Sequence, residues 1–248
     1  MSNHIVFSTP AQLQQIGRIL SGYIRLPLSW DTIPGAMMEA LLAHIRGGEV
    51  MHTYDFVDVV KRDARCGWQV KSTKAATPVT WKRAKIPGAD RLISASKKSR
   101  TGLKALGDAI IEFCNGHARE SIERYNLNEI GYSRLIVHEE GRVTYFERLL
   151  CTRKNPVLFD PSKFTWRWSK PKKTKKKEQL QALHGLHSPT GEKWFAWHGL
   201  GENQLHFSGE SNWWPPEGDS HAITFKFPAE EERIGLDKFM EVLSKLDA

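Results

Sequence analysis

Residues 53–73 read TYDFVDVVKRDARCGWQVKST and contain two apolar segments on either side of a short polar turn. The segments 53–61 and 66–73 are rich in β-branched and aromatic residues, which favour β-strands. Three of the four residues between them, 62–65, are charged, and they include Asp63. The pattern predicts a β-hairpin, and the hairpin is the part of the sequence from which a fold can be built outward.

A turn centred between Asp63 and Ala64 places Asp58 opposite Gln69. Because side chains alternate along a strand, Gln69 and Lys71 lie on one face. Directly paired residues also share a face, so we expect Asp58 to converge with them. Their neighbours in both strands are largely apolar. An acid and a lysine in such a setting cost free energy unless they are paired or functional.

These residue types suit the hydrolysis of a phosphodiester bond. The reaction needs a divalent cation held by oxygen ligands, and a positive group beside the attacking water and the developing charge. Asp58 is predicted to bind the metal directly and Gln69 through its amide oxygen, with the Val70 backbone carbonyl as a third ligand. Lys71 is predicted to lie beside the water. The expected cofactor is Mg²⁺, with Mn²⁺ as a substitute.

Asp58, followed on the next strand by Gln69-Val70-Lys71 and preceded by a helix that carries Glu39, resembles the PD-(D/E)XK nuclease superfamily. The order of elements over residues 30–138 matches the superfamily core, although the motif is short. The resemblance implies an α/β (α+β) fold of restriction-endonuclease type, with a central mixed sheet flanked by helices. No proline precedes the acid, and a glutamine stands where many members carry a second acid.

Other carboxylates could offset that missing charge. Glu39 and Glu49 lie on the helix side of the hairpin, and Asp55 lies three residues before Asp58. Asp55 is also the rival of Asp58 as principal metal ligand, since a longer hairpin would bring it opposite Gln69. The turn here is short, which favours Asp58.

The charge of the chain is unevenly distributed. The chain has 36 Lys and Arg against 28 Asp and Glu, a net charge of +8. Residues 61–104 carry +11 and residues 167–177 carry +7, whereas the remainder carries −10. Two basic segments on an acidic chain predict a polyanion-binding site. The predicted DNA-binding residues are Lys82, Arg83, Lys85, Arg91, Lys97, Lys98, Arg100, Arg167, Lys170, Lys172 and Lys173.

Hydrophobic periodicity and turn residues divide the chain into two parts. Residues 1–150 are expected to form the nuclease core, with helices at 11–20, 34–46 and 103–113. The last of these is expected to break at Asn115-Gly116 and to restart as far as Tyr125. The core also includes a basic loop at 74–100 and a second hairpin at 132–138 and 142–150. Residues 151–248 are expected to form a β-rich aromatic region packed on that core as one globular unit, with a basic hairpin or loop at 167–177, strands at 164–168, 193–197, 204–208 and 222–227, and a closing helix at 235–246.

Composition excludes several other classes of protein. With 40% hydrophobic residues and nine tryptophans, the chain is too apolar for a disordered protein. It lacks a run of 18 apolar residues, a secretory leader and paired cysteine motifs, so we expect no membrane partner and a cytoplasmic, reducing location. Cys66, Cys114 and Cys151 are expected to be inert thiols.

The sequence therefore predicts a Mg²⁺-dependent endodeoxyribonuclease that cuts double-stranded DNA at specific sequences. As the resemblance implies, this would be a prokaryotic type II restriction enzyme, genetically linked to a cognate DNA methyltransferase. Two-fold symmetric DNA sites favour a homodimer or a higher homo-oligomer. The alternative is a non-catalytic DNA- or RNA-binding protein, which would use the basic segments but would not need the Asp58 and Lys71 pair.

Overall fold

The computed structural model describes residues 4–29, 32–52, 55–173 and 178–245; at 172–173 and 178–179 it describes the backbone alone. The α-helices in these residues are α1 (Pro10–Tyr23), α2 (Gly35–Arg46), α3 (Ala89–Ser96), α4 (Arg100–Arg124) and α5 (Leu236–Ser244). The strands are β1 (Glu49–Val50), β2 (Val59–Lys61), β3 (Cys66–Lys74), β4 (Val79–Arg83), β5 (Glu129–Val137), β6 (Arg142–Thr152), β7 (Phe164–Trp168), β8 (Lys172–Lys173), β9 (Glu178–Gln179), β10 (Leu183–His187), β11 (Lys193–Trp197), β12 (Gln204–Phe207) and β13 (Ala222–Lys226).

The chain forms two compact units, and each is made of separate stretches of sequence. Unit 1 comprises residues 1–76, 125–150 and 215–248, and unit 2 comprises residues 77–124 and 151–214. These units do not coincide with the predicted division at residue 150. Residues 77–100 of the predicted basic loop belong to unit 2, whereas β13 and α5 belong to unit 1, where β13 pairs with β6.

Unit 1 is built on a mixed sheet in the order β1-β2-β3-β5-β6-β13. Strands β1, β2 and β3 form an antiparallel meander, β5 runs parallel to β3, and β13 pairs antiparallel with β6. The amphipathic helices α1 and α2 pack against one face of this sheet, where Leu20, Met38, Trp68 and Leu135 belong to one core. The predicted α+β class, with a mixed sheet and flanking helices, is confirmed.

Buried acids hold the segment before α1 against the sheet of unit 1. Glu129 accepts a hydrogen bond from the Val6 backbone N–H at 2.8 Å. Glu147 accepts bonds from both the N–H and the hydroxyl of Ser8, at 2.5 and 2.6 Å. The Arg46 guanidinium donates to the Ser8 hydroxyl at 3.0 Å. These charge-assisted bonds satisfy polar groups that burial would otherwise leave unpaired.

Unit 2 contains a five-stranded antiparallel sheet in the order β4-β12-β11-β10-β7. One face of this sheet is aromatic and buried. Phe195 and Phe207 stack with ring centroids 5.1 Å apart, and Trp81 meets Phe207 edge to face at 5.2 Å. Trp197 is fully buried and donates its indole N–H to the Ala84 carbonyl. Aromatic packing of this kind stabilises unit 2.

Three predicted elements differ in the structure. Residues 74–100 are not a loop, because they hold the end of β3 together with β4 and α3. Val79 and Trp81 are buried on either side of an exposed Thr80, so β4 has a strand pattern, which the surrounding lysines and prolines obscure. The strand expected at 53–61 is shortened to β2, since residues 55–58 bend away; residues 53–54 lie outside the described residues.

The third difference is that α4 runs without a break through Asn115 and Gly116. The Asn115 side chain accepts hydrogen bonds from the backbone N–H groups of Leu158 and Phe159, and donates to the Phe159 carbonyl at 2.9 Å. These tertiary bonds keep a poor helix former inside a helix of 25 residues. None of the helices in the described ranges is long and apolar enough to cross a lipid bilayer.

The contact between α4 and β7 gives a test of packing in unit 2. Gly107 of α4 lies so close to the Trp166 indole that an added Cβ would overlap the ring. We expect Gly107→Ala to lower the free energy of unfolding by about 1–3 kcal/mol. Gly116→Ala in the same helix is the matched control, because its Cβ would meet only the tip of the Arg119 side chain. That substitution should raise stability by about 0.5–1 kcal/mol. Equal effects in chemical denaturation would contradict this packing.

Candidate metal and phosphate site

The β2–β3 hairpin has the register that its short turn predicts. Val59 pairs with Trp68, and Lys61 pairs with Cys66. The turn is stabilised by Asp63, whose carboxylate accepts the Ala64 N–H at 2.8 Å. Alternation along β3 then places Trp68 and Val70 in the core beneath α1 and α2. Gln69 and Lys71 therefore lie on the opposite face of the sheet.

Asp58 immediately precedes β2, and its side chain forms a hydrogen bond with the backbone of β3. Its backbone N–H donates to the carbonyl of Trp68 at 2.8 Å, although Trp68 already pairs with Val59, so the regular register between β2 and β3 ends here. Its carboxylate Oδ2 accepts the Val70 N–H at 2.7 Å. A carboxylate thus takes the place of a strand carbonyl, which fixes its position on the backbone of β3.

The Val70 carbonyl faces the same edge as Asp58. In a strand, the N–H and the carbonyl of one residue point to the same side of the strand, and those of the next residue point to the opposite side. The Val70 N–H points to Asp58, so its carbonyl does as well. This geometry supports the predicted pairing of Asp58 with a backbone oxygen.

Lys71 reaches the same carboxylate. Its Nζ lies 3.6 Å from Asp58 Oδ2, with side-chain exposures of 20% for Lys71 and 25% for Asp58. Both described contacts of Asp58 use Oδ2, so Oδ1 takes part in neither. The pair is accessible to a ligand, whereas Gln69 is only 2% exposed. Its predicted role as a metal ligand stays a prediction.

Glu39 is coupled electrostatically to this pair from α2. Burial raises the pKa of the Glu39 carboxyl, and the nearby Asp58 charge raises it further, while Lys71 and His52 act in the opposite direction. Helix α2 packs on β1, β2 and β3, which is why a side chain in its second turn can reach the hairpin. His52, an exposed residue just after β1, acts electrostatically on the Glu39 carboxyl, and no sequence motif indicated it.

The two remaining candidate carboxylates have other partners. Asp55 accepts a hydrogen bond from the Tyr125 hydroxyl. Glu49 is exposed and forms an ion pair with Arg62 at 3.2 Å. These contacts favour Asp58 over Asp55 as the principal acid of the hairpin. The predicted role of Glu49 as a metal ligand stays a prediction.

The oxygen atoms at this edge suit a hard divalent cation. Among the described residues, no three His, Cys, Asp or Glu side chains converge as a metal-binding cluster. Mg²⁺ does not need one, because it binds through one or two carboxylates and keeps several water molecules. The carboxylates of Asp58 and Glu39 and the Val70 carbonyl could supply such a set. A zinc site would require imidazole or thiolate ligands instead.

All three cysteines are buried, free thiols. Burial raises the pKa of the Cys66 thiol to about 11 and those of Cys114 and Cys151 to about 12. Thiols with such high pKa values are protonated at neutral pH and are poor nucleophiles.

The predicted DNA-binding residues all belong to unit 2. That unit carries 21 Lys and Arg against 10 Asp and Glu, whereas unit 1 carries 15 against 18. Lys82 is half-buried, and the exposed members are Arg83, Lys85, Arg91, Lys97, Lys98, Arg100, Arg167 and Lys170. Lys172 and Lys173 form β8, but their side chains and residues 174–177 lie outside the described part. The basic charge therefore segregates into unit 2.

Comparison of the chain with protein-family models, with curated proteins and with solved structures finds no match. The chemistry of the site thus rests on its own residues. What they provide is an acid anchored on a strand edge, a lysine beside it, a second acid from α2, and a strongly basic second unit.

The raised pKa of Glu39 predicts how stability depends on pH. A folded-state pKa above the ordinary value of 4.5 means that the ionised carboxylate destabilises the folded protein. This cost is absent below the unfolded-state pKa and appears as the pH rises through the folded-state pKa. In EDTA, we therefore expect Glu39→Gln to be more stable than the wild type at neutral pH but not under acidic conditions.

Mg²⁺ should reverse that order, since a cation at this edge compensates two adjacent carboxylates. The wild type should gain more thermal stability from Mg²⁺ than Glu39→Gln does. Glu49→Gln, at the exposed ion pair with Arg62, is the control and should follow the wild type in both measurements. A Glu39→Gln profile parallel to the wild type over the whole pH range would show that Glu39 is not coupled to Asp58.

Proposed function

We propose that this chain is a Mg²⁺-dependent endodeoxyribonuclease that hydrolyses phosphodiester bonds of double-stranded DNA at specific sequences, as type II restriction enzymes do. The observation that carries the proposal is the Lys71 ammonium 3.6 Å from an Asp58 carboxylate that is bonded to the Val70 N–H. The order of elements supports it: helix α2, the meander β1-β2-β3, and then β5 parallel to β3. This is the order that the resemblance to PD-(D/E)XK nucleases implies.

Each residue of the site has a definable role in that reaction. Asp58, Glu39 and the Val70 carbonyl would hold the cation, which when bound offsets phosphate charge and lowers the pKa of a coordinated water. Lys71, whose ammonium lies beside Asp58, would stabilise negative charge developing on the phosphate. The Val70 N–H keeps the carboxylate in place throughout, so little reorganisation is needed during the reaction.

The positive charge of unit 2 would supply the affinity for DNA. Its net charge of +11 is of the size needed to neutralise several phosphates. Two copies of the chain would cut both strands of a symmetric site, and a methyltransferase of the same specificity would protect the host DNA. Non-catalytic nucleic-acid binding is the second candidate, but it gives no reason for an accessible Asp58–Lys71 pair.

Substitutions in the hairpin separate cleavage from binding. Lys71→Ala should reduce plasmid cleavage in Mg²⁺ by about 10²–10³-fold or more, because charge stabilisation of the transition state is lost. Binding to a specific duplex in EDTA should change little. Asp58→Ala should also abolish cleavage, but its affinity for DNA without metal should hold or rise, since one charge that repels phosphate is removed.

Two matched controls lie close to these residues. Lys74→Ala removes an exposed lysine from the same strand, and Asp55→Ala removes an acid that pairs with Tyr125. Both should retain most of the cleavage activity. If Lys71→Ala and an Asp55/Asp58 double variant are folded and fully active, the active site lies elsewhere. If Asp55→Ala loses more activity than Asp58→Ala, Asp55 is the principal acid.

A further inference from the structure

The five-stranded sheet of unit 2 has a second face that neither the fold nor the proposed active site uses. Residues Trp166, Phe195 and Phe207 point to the buried aromatic side. Because side chains alternate, the residues between them point to the other side. We call this side the outer face; it comprises Thr80, Arg83, Thr165, Arg167, His184, Leu186, Lys193, Ala196, His198, Gln204 and His206.

The strand register aligns one row of residues across the whole outer face. Arg167 pairs with His184, His184 with Ala196, Ala196 with His206, and His206 with Thr80. Neighbours in such a row have Cβ atoms about 4.5–5.5 Å apart. The row therefore begins with the basic Arg167, continues through His184, the small Ala196 and His206, and ends with the Thr80 hydroxyl.

The centre of the row is concave. A shallow cavity of about 170 Å³ is lined by all three outer-face histidines together with Lys170, Lys193 and Ser208. None of the described residues in its lining is acidic. The volume is below the roughly 300–1,000 Å³ of pockets that enclose small-molecule ligands. Its size and its donors suit one phosphate group of a larger polymer.

Burial disfavours the charged form of two of these histidines. Burial lowers the pKa of His198, and the neighbouring His206 and Lys193 lower it further, while Glu202 in the β11–β12 turn opposes them. Burial also lowers the pKa of His206, again with Glu202 opposing and Lys193 adding to the effect. The two rings lie 4.9 Å apart, so protonating one disfavours the other. A phosphate between them would favour both charged forms.

We propose that the outer face holds the phosphate backbone of double-stranded DNA, and that DNA binding there takes up protons through the cavity histidines His198 and His206. The inference rests on the proposed function, since it names the surface that would hold the substrate. Exposed Arg83 and Arg167 extend the basic surface over strands at both edges of the sheet, as contact with successive phosphates requires.

Binding of a short DNA duplex in EDTA, followed by fluorescence anisotropy, tests the proposal without any cleavage. Wild-type affinity should rise about tenfold or more between about pH 8 and pH 5. The slope of log K against log salt should steepen by about 0.9 for each histidine charged at a phosphate. The triple variant His184→Gln/His198→Gln/His206→Gln should lose most of both changes.

Two further variants keep the test independent of folding and of general histidine effects. The first is His44→Gln/His117→Gln, which changes the exposed His44 on α2 and the half-buried His117 on α4. This double variant should retain the wild-type pH dependence of binding. Arg167→Gln/Lys193→Gln changes only exposed side chains, and it should weaken binding about tenfold or more at every pH. If this variant and the triple variant both bind like the wild type, the outer face is not the DNA surface.

The outcomes separate this inference from the nuclease proposal. If the wild type cleaves plasmid DNA but the triple variant binds DNA with the same pH and salt dependence as the wild type, the outer-face proposal is overturned and the nuclease proposal stands. Proton-linked binding without any cleavage in Mg²⁺ would support the outer face and contradict the nuclease. Tighter proton-linked binding of RNA than of duplex DNA would overturn the choice of DNA. Efficient competition by inorganic phosphate at constant ionic strength would show a site for the free anion and overturn backbone binding.

Discussion

The hydrogen bond from the Val70 N–H to the Asp58 carboxylate, 2.7 Å long, is the contact on which the site depends. Because β2 begins one residue after Asp58, the backbone of β3 beyond Trp68 has N–H and C=O groups that do not pair with β2. The Asp58 carboxylate gives one of these groups, the Val70 N–H, a partner. A buried N–H without a partner costs about 1–3 kcal/mol, which is why a side chain takes that place. The same bond brings a carboxylate, a backbone carbonyl and the Lys71 ammonium to one edge of the sheet.

The separation of charge between the two units complements this arrangement. Unit 1 is slightly acidic and holds the Asp58, Glu39 and Lys71 group, whereas unit 2 carries a net +11. A polyanionic substrate would be repelled by carboxylates without a metal, and it would be attracted by unit 2 regardless of sequence. Under the proposed function, chemistry and non-specific affinity would belong to different parts of the chain, so substitutions should change one without the other.

Local features of the sequence were sufficient for the hairpin and for much of the secondary structure. The register of β2 and β3 follows from a four-residue turn and from alternation, and β7 and β11 have the predicted bounds. β4 was missed because its partner β12 lies more than a hundred residues away. The continuity of α4 depends on bonds from Asn115 to residues 158–159, which no local pattern reveals.

In the candidate site, too, some features follow from the local sequence and others depend on long-range packing. The spacing of residues in the sequence was enough to predict Asp58 and Lys71, and the order of the elements was enough to predict Glu39. The coupling of His52 to Glu39 depends on how α2 packs against the meander. The outer-face histidines are separated by 14 and 8 residues along the chain, and only the register of three strands brings them together. Such convergence is a property of the sheet and not of any sequence motif.

We propose that Asp58 and the Val70 carbonyl mark a divalent-cation site at the open edge of β3. Anomalous diffraction from crystals containing Mn²⁺ and a DNA duplex can locate this cation. We expect an anomalous peak within about 2.5 Å of an Asp58 carboxylate oxygen and of the Val70 carbonyl oxygen. We also expect this peak to disappear in Asp58→Ala. A Mn²⁺ peak bound elsewhere in the chain, or one that survives in Asp58→Ala, would rule out a cation site at Asp58.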